Sequence, residues 1–121
     1  MEGKVQHTAY TLLTLAAFFL KLGLLRLACE LIWMSASLAL QEFIKKHGLR
    51  VSLCSHESKR QFDRKLSHDL KGKFAIFESF YTNKHSRGDV MDALNEATIF
   101  WKSLQELEIT DKKKRELENR L

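Results

Sequence analysis

With 121 residues, no proline and only five glycines, the chain lacks the turn-forming residues that a sandwich or barrel of many short strands requires. A hydrophobic share of 45% and a charged share of 29% suffice for a packed core and exclude a disordered tail. One domain of long helices with few connections is expected, and a formal net charge of +5 directs attention to anionic partners.

The first predicted helix runs from about Gln6 to Leu22. Tyr10, Leu13, Ala17 and Leu20 share one face of it, with Phe18 and Phe19 adding bulk alongside. Its apolar run, LLTLAAFFL at 12–20, is about half the roughly 20 residues of a membrane span, and Lys21, Arg26 and Glu30 interrupt any extension. No strongly basic segment precedes the run and no convincing small-residue cleavage site accompanies it. The expectation is a buried helix of a cytoplasmic protein with no membrane among its partners.

Gly23 breaks the chain and the second helix, Leu24 to Lys46, follows almost at once, so the two should pack as an antiparallel hairpin. Gly48 can adopt the left-handed conformation that closes such a helix. This helix is apolar around most of its circumference. Leu25, Ala28, Ile32, Ala36, Ala39 and Phe43 form one stripe, Leu27, Leu31, Met34 and Leu38 form a second, and Arg26, Glu30, Ser37 and Gln41 form the polar remainder. A helix half in water needs one apolar stripe. Two stripes predict a core on one side and a partner on the other, here a homodimer interface of Leu27, Leu31, Trp33, Met34 and Leu38.

Residues 49–57, LRVSLCSHE, form the longest irregular stretch. The third helix is predicted to start with Ser58 as N-cap, with Gln61 completing a capping box. Phe62, Leu66, Leu70, Phe74, Phe77 and Tyr81 then fall at helical spacing, and Gly72 inside the helix costs roughly 1 kcal/mol against alanine. The fourth helix starts at Ser86, with Asp89 three residues on, and carries the core stripe Val90, Leu94, Ala97, Trp101 and Leu104, widened by Ala93, Phe100 and Leu107. Thr110 caps a last segment, DKKKRELENRL, whose Leu117 and Leu121 are sparse anchors, so fraying beyond about residue 112 is expected. The predicted fold class is all-α: a four-helix up-and-down antiparallel bundle over 1–110, followed at 111–121 by a charged C-terminal tail or short extra helix.

The positive charge is concentrated. Between Lys45 and Ala75, nine Lys or Arg residues stand against Glu57, Asp63 and Asp69. Lys59, Arg60, Arg64, Lys65 and Lys71 are the candidates for salt-sensitive contact with nucleic-acid phosphates, the alternative being a solvated face that aids solubility. Arg64 and His68 are one turn apart. With Arg60 they are the candidate catalytic set for RNA cleavage, histidine serving as general acid or base and arginine stabilising developing charge; alternatively His68 is a hydrogen-bonded polar residue at a core edge. His7, His47, His56, His68 and His85 share no i, i+4 spacing, and no HExxH, Gly-rich or Walker motif occurs, so neither a metal nor a cofactor is expected. Cys29 reads as a small core residue and Cys54 as a loop residue, with a reduced pair expected and a disulfide between them the alternative. Trp33, Met34 and Trp101 are candidates for an apolar pocket.

The segment from Lys21 to Leu49, KLGLLRLACELIWMSASLALQEFIKKHGL, resembles the second-helix signature of HEPN domains, in particular the archaeal PaREP1-type branch, through Gly23, Ala28, Glu30 and Trp33. Ser67-His68-Asp69-Leu70 and FYTNKHSRGDV at 80–90 also resemble segments of that superfamily, and the likeness covers roughly 8–107. It implies a four-helix bundle, commonly a homodimer, associated with nucleic acids and nucleotidyltransferase partners. Many such proteins are metal-independent RNases with an arginine, four to six residues, then a histidine. Here Arg64 and His68 have three residues between them and Arg60 and His68 seven, while Arg50 and His56, with five, precede the third helix. The expected function is therefore a non-catalytic HEPN-like dimer that binds a nucleic acid or a protein partner such as a nucleotidyltransferase. The alternatives are a metal-independent endoribonuclease of a toxin-type system and a purely structural adaptor.

Overall fold

The computed structural model describes residues 8–53, 55–66 and 86–118. Every regular element among them is an α-helix: α1 (Ala9–Lys21), α2 (Leu25–His47), α3 (His56–Lys65), α4 (Arg87–Glu106) and α5 (Asp111–Glu118). The expected all-α class holds.

Thr8 is extended and starts α1 as its N-cap. Its hydroxyl accepts the Thr11 N–H at 3.2 Å while the Thr11 hydroxyl accepts the Thr8 N–H at 3.2 Å, a capping box made of two threonines. The carboxylate of Glu42, far along α2, accepts the Ala9 N–H at 2.9 Å. A negative group at a helix N-terminus satisfies an orphan donor and meets the positive end of the macrodipole. It also places the start of α1 beside the last third of α2, so the two run antiparallel, as the short connection predicts. Gly23, at φ +80°, makes that connection: its N–H donates to the Leu20 carbonyl at 3.0 Å and the Leu24 N–H to the Phe19 carbonyl at 2.9 Å. This paired closure needs a left-handed residue, which glycine supplies without a Cβ clash. The same closure ends α2 at Gly48, as predicted.

Among the described residues the core is centred on α1, α2 and α4, and Leu49, Phe62 of α3, Leu66 at its end and Leu117 of α5 join it. Ala28, Ile32, Ala36, Ala39, Leu40 and Phe43 of α2 meet Ala9, Leu13, Ala16 and Leu20 of α1 and Val90, Ala93, Ala97, Phe100 and Leu104 of α4. Seven of these side chains are alanines, and small residues let helix axes approach closely. Two details differ from the sequence expectation. Ala17 and Tyr10 are exposed while Leu12 and Ala16 are buried, because the face of α1 turned to α2 is rotated from the one predicted. Ser37, expected in a polar stripe, is buried, as is Ser35, whose hydroxyl donates to the Ile32 carbonyl at 2.7 Å; the helix's own backbone supplies the partner that burial demands.

Tyr10 of α1 lies 5.3 Å from Trp101 near the end of α4, between ring centroids. Lys46 Nζ donates to the Gln105 carbonyl at 2.7 Å, and the Arg87 guanidinium stands 3.4 Å from where a Cβ on Gly23 would be. Accordingly α1 opposes α4, while α2 and α4 run in the same direction.

Helix α3 starts one turn earlier than predicted. Ser55, not Ser58, is the N-cap, and Ser58 is the third helical residue that completes the capping box. Either serine satisfies the local pattern; the earlier one extends the helix by a turn whose acid, Glu57, suits the N-terminal end. Phe62 and Leu66 are buried, and Leu66, at ψ −139°, leaves the helical region and interrupts the long helix that was expected. Gly72 and the rest of the predicted stripe, Leu70, Phe74, Phe77 and Tyr81, lie outside the described residues. Helix α4 starts at Ser86 with Asp89 as its capping-box partner, as predicted.

The expected fraying beyond residue 112 is overturned. Residues 111–118 form α5, whose Leu117 is fully buried and whose Glu118 carboxylate accepts the Arg50 N–H at 2.8 Å. One leucine anchors this helix because the 49–53 segment, with Leu49 buried and Val51 and Leu53 half-buried, and α3 form a seat for it.

Candidate functional site

The second apolar stripe of α2 is incompletely covered. Leu27 and Met34 are exposed, and Leu31, Trp33 and Leu38 are half-buried against the rim of the core. An open groove of about 240 Å³ runs along this side, lined by Leu12 of α1 together with Trp33, Met34, Ser37, Leu38 and Gln41. A second, of about 330 Å³, continues from Gln41 past Ile44 to Val51, Ser52 and Leu53. Three of the five predicted interface residues, Trp33, Met34 and Leu38, therefore share one depression with a residue from α1. Leu12 and Gln41 had no place in the sequence-based set; their presence follows from the register between α1 and α2, which periodicity within one helix does not encode.

Lys59 of α3 sits with Nζ 5.4 Å from the centroid of the Trp33 ring. A cation over an indole face is an attractive contact, and here it ties α3 to α2 at the edge of the groove. Lys59 shares an i, i+3, i+4, i+7 face with the buried Phe62, Asp63 and Leu66 and so belongs to the inner side of α3. Glu57, Arg60 and Arg64 occupy the outer side. Arg60 Nη2 pairs with Glu57 at 3.0 Å, Glu57 also accepts from Gln61 Nε2 at 2.8 Å, and Arg64 is exposed one turn further on. Lys65 is half-buried. The predicted basic set thus divides, Lys59 against the tryptophan, Arg60 half-buried beside Glu57, and Arg64 toward solvent. His68 and Lys71 lie outside the described residues, as do Cys54, His7 and His85.

Among the described residues no group of three or more His, Cys, Asp or Glu is placed to hold a metal ion. His47 packs its ring 4.4 Å from Phe43 at the end of α2. Helix α2 is long and apolar enough to cross a membrane, with a mean hydropathy of 1.3 over its most apolar window, half of which is buried within the protein.

Cys29 is a buried free thiol. Burial pushes its pKa up, Arg26 pulls it down and Glu30 adds to the rise. Because the folded pKa lies above the unfolded one, this thiol favours folding below its unfolded pKa and loses that contribution as pH rises through the folded value. Native protein is expected to react with iodoacetamide at Cys29 far more slowly at neutral pH than urea-unfolded protein does, which mass spectrometry of the peptide reads. Equal rates would place Cys29 outside the core.

No family model, curated protein or solved structure matches the chain.

Proposed function

We propose that the chain is a non-catalytic, HEPN-like helical homodimer that acts in the cytoplasm as a binding module for a nucleic acid or for a protein partner such as a nucleotidyltransferase. The observation that carries this reading is the open side of α2, where Leu27 and Met34 are exposed beside a groove shared with Leu12. A second copy covering that stripe would remove from water the apolar surface that the fold leaves uncovered. The full architecture proposed is an up-and-down bundle of four long helices. The opposed directions of α1 and α4, and the common direction of α2 and α4, are what that topology requires.

The outer side of α3 supplies the second half of the reading. Arg60 and Arg64 present two guanidiniums one turn apart; Arg60 pairs with Glu57 of its own helix and Arg64 is exposed. A pair whose carboxylate is as exposed as that of Glu57 is weak and yields readily to a phosphate.

Two measurements test the proposal. Sedimentation should give a dimer at tens of micromolar, converted to monomer by Met34→Asp, a change at an exposed position that leaves helicity intact. In gel shifts with single-stranded RNA, affinity should fall steeply between roughly 50 and 200 mM salt. The Arg60→Glu/Arg64→Glu variant should bind about tenfold or more weakly. A monomeric wild type sinks the dimer. No RNA binding at low salt removes the nucleic-acid half and leaves the protein-partner module or adaptor. RNA cleavage in EDTA that is lost in His68→Ala replaces the non-catalytic reading with a metal-independent RNase.

A further inference from the structure

We propose that the tip of the α1–α2 hairpin docks on an anionic lipid surface. The proposal rests on residues that neither groove contains, and of them only Leu27 also belongs to the dimer stripe. Phe18, Leu22, Leu24 and Leu27 are each between 44% and 56% exposed, so half of the eight large apolar side chains exposed among the described residues fall in ten consecutive positions around Gly23. Met91, also exposed, lies one turn after Arg87 on α4, and Arg87 touches the same turn.

The turn itself does not require this exposure. The two glycine closures have the same hydrogen bonds, and in each the residue after the glycine is a leucine. Leu49 is 7% exposed, its side chain packed into the core as such closures usually are, whereas Leu24 is 44% exposed. One closure is sealed inward and the other is turned out.

Three cations surround the tip. Lys21 and Arg26 flank Gly23 in sequence and are exposed, and the Arg87 guanidinium lies against it. Arg26 also reaches Glu30 of its own helix at 3.5 Å, an exposed contact too weak to hold it from an anionic headgroup, and Asp89 caps the start of α4. Exposed bulky aliphatic and aromatic side chains around a helix-to-helix turn, flanked by Lys and Arg, match a surface with anionic headgroups above hydrocarbon. A second copy is a poorer occupant, because a two-fold contact through this tip would set each ring of cations against its twin. A nucleic acid would meet the cations but leave the apolar centre uncovered. Docking needs none of the length of a span; entry of a tip by about 5–10 Å is sufficient.

The test is co-sedimentation of the full chain with phosphatidylglycerol–phosphatidylcholine vesicles at low salt. Wild type should pellet with the mixed vesicles and much less with phosphatidylcholine alone. Leu22→Gln/Leu24→Gln should weaken partitioning about tenfold or more, and Lys21→Gln/Arg26→Gln about twenty-fivefold, since each cation contributes roughly fivefold. Far-UV circular dichroism should be unchanged in both, as all four side chains are exposed. Met34→Asp should pellet like wild type, which separates failure of the dimer from failure of this docking. The proposal is overturned if wild type stays in the supernatant. It is equally overturned if Leu22→Gln/Leu24→Gln pellets undiminished, because the basic face alone would then explain the attraction. A change in self-association without loss of lipid binding would make the tip a contact between copies instead.

Discussion

Ile32→Asp is expected to abolish the cooperative thermal transition of the protein, while Lys112→Asp shifts it only slightly. Ile32 is fully inaccessible at the middle of α2, on the stripe that also contains Ala28, Ala36 and Ala39. Removing a buried isoleucine's packing costs about 2–5 kcal/mol, and an unpaired carboxylate in the same place adds several more. A whole domain is stable by only about 5–15 kcal/mol. Those sums make the substitution comparable to the entire folding free energy, so a molten or unfolded spectrum is the expected outcome. Lys112 is exposed in the first turn of α5, where a change of charge usually stays within about half a kcal/mol. Leu31→Asp and Trp33→Asp should fall between the two, since both side chains are half-buried; the second also deprives Lys59 of its aromatic partner. Circular dichroism melts of the four variants measure the order. If Ile32→Asp melted like Lys112→Asp, the buried face of α2 would have been misassigned.

Leu117→Ala should release α5. An isolated helix shorter than about 12–15 residues is marginal in water, and α5 has eight residues, most of them charged. What keeps it helical is the burial of Leu117 and the Glu118 carboxylate on the Arg50 N–H. Truncating the leucine costs about 2–5 kcal/mol, more than the remaining contacts of so short a helix supply. Because α5 can open without the rest of the protein, the effect should appear locally. Trypsin cleavage after Lys112, Lys113, Lys114 or Arg115 should become about thirtyfold or more faster, in the regime where cleavage follows the open population. The urea midpoint of the whole chain should move by less. Unchanged cleavage would mean that α5 is held by something other than Leu117.

These two results probe opposite ends of what could be read from the chain. The buried stripe of α2 is legible in Ala28, Ile32, Ala36, Ala39 and Phe43, because a 3.6-residue period survives whatever packs against it. Gly23 and Gly48 mark their turns because only glycine takes a left-handed φ at little cost, and Ser86 with Asp89 marks its helix start through hydrogen bonds spanning three residues. Ser55 and Ser58 show where local reasoning becomes degenerate: both fit a capping box, and the choice was settled by a full extra turn of α3. Tail fraying was the natural expectation from a segment with four consecutive cations. It failed because one leucine found a seat made by residues some sixty positions earlier.

The candidate surfaces divide in the same way. That α2 carries a second apolar stripe is visible in the sequence; that the stripe becomes a groove is not, since its far wall is Leu12 of another helix. Likewise the run Phe18 to Leu27 is apolar on paper, yet its exposure depends on which residues turn inward. Helix identity, glycine turns and the buried stripe of α2 were determined by the sequence itself, because each is a property of backbone dihedrals and neighbours within about one turn. The tertiary structure alone decided that Glu42 caps α1, that Lys59 covers Trp33, that Leu117 is buried and that Leu24 is not. Each of those rests on a contact between segments far apart in the chain, and its free energy comes from packing and desolvation at the meeting point, which no local pattern records.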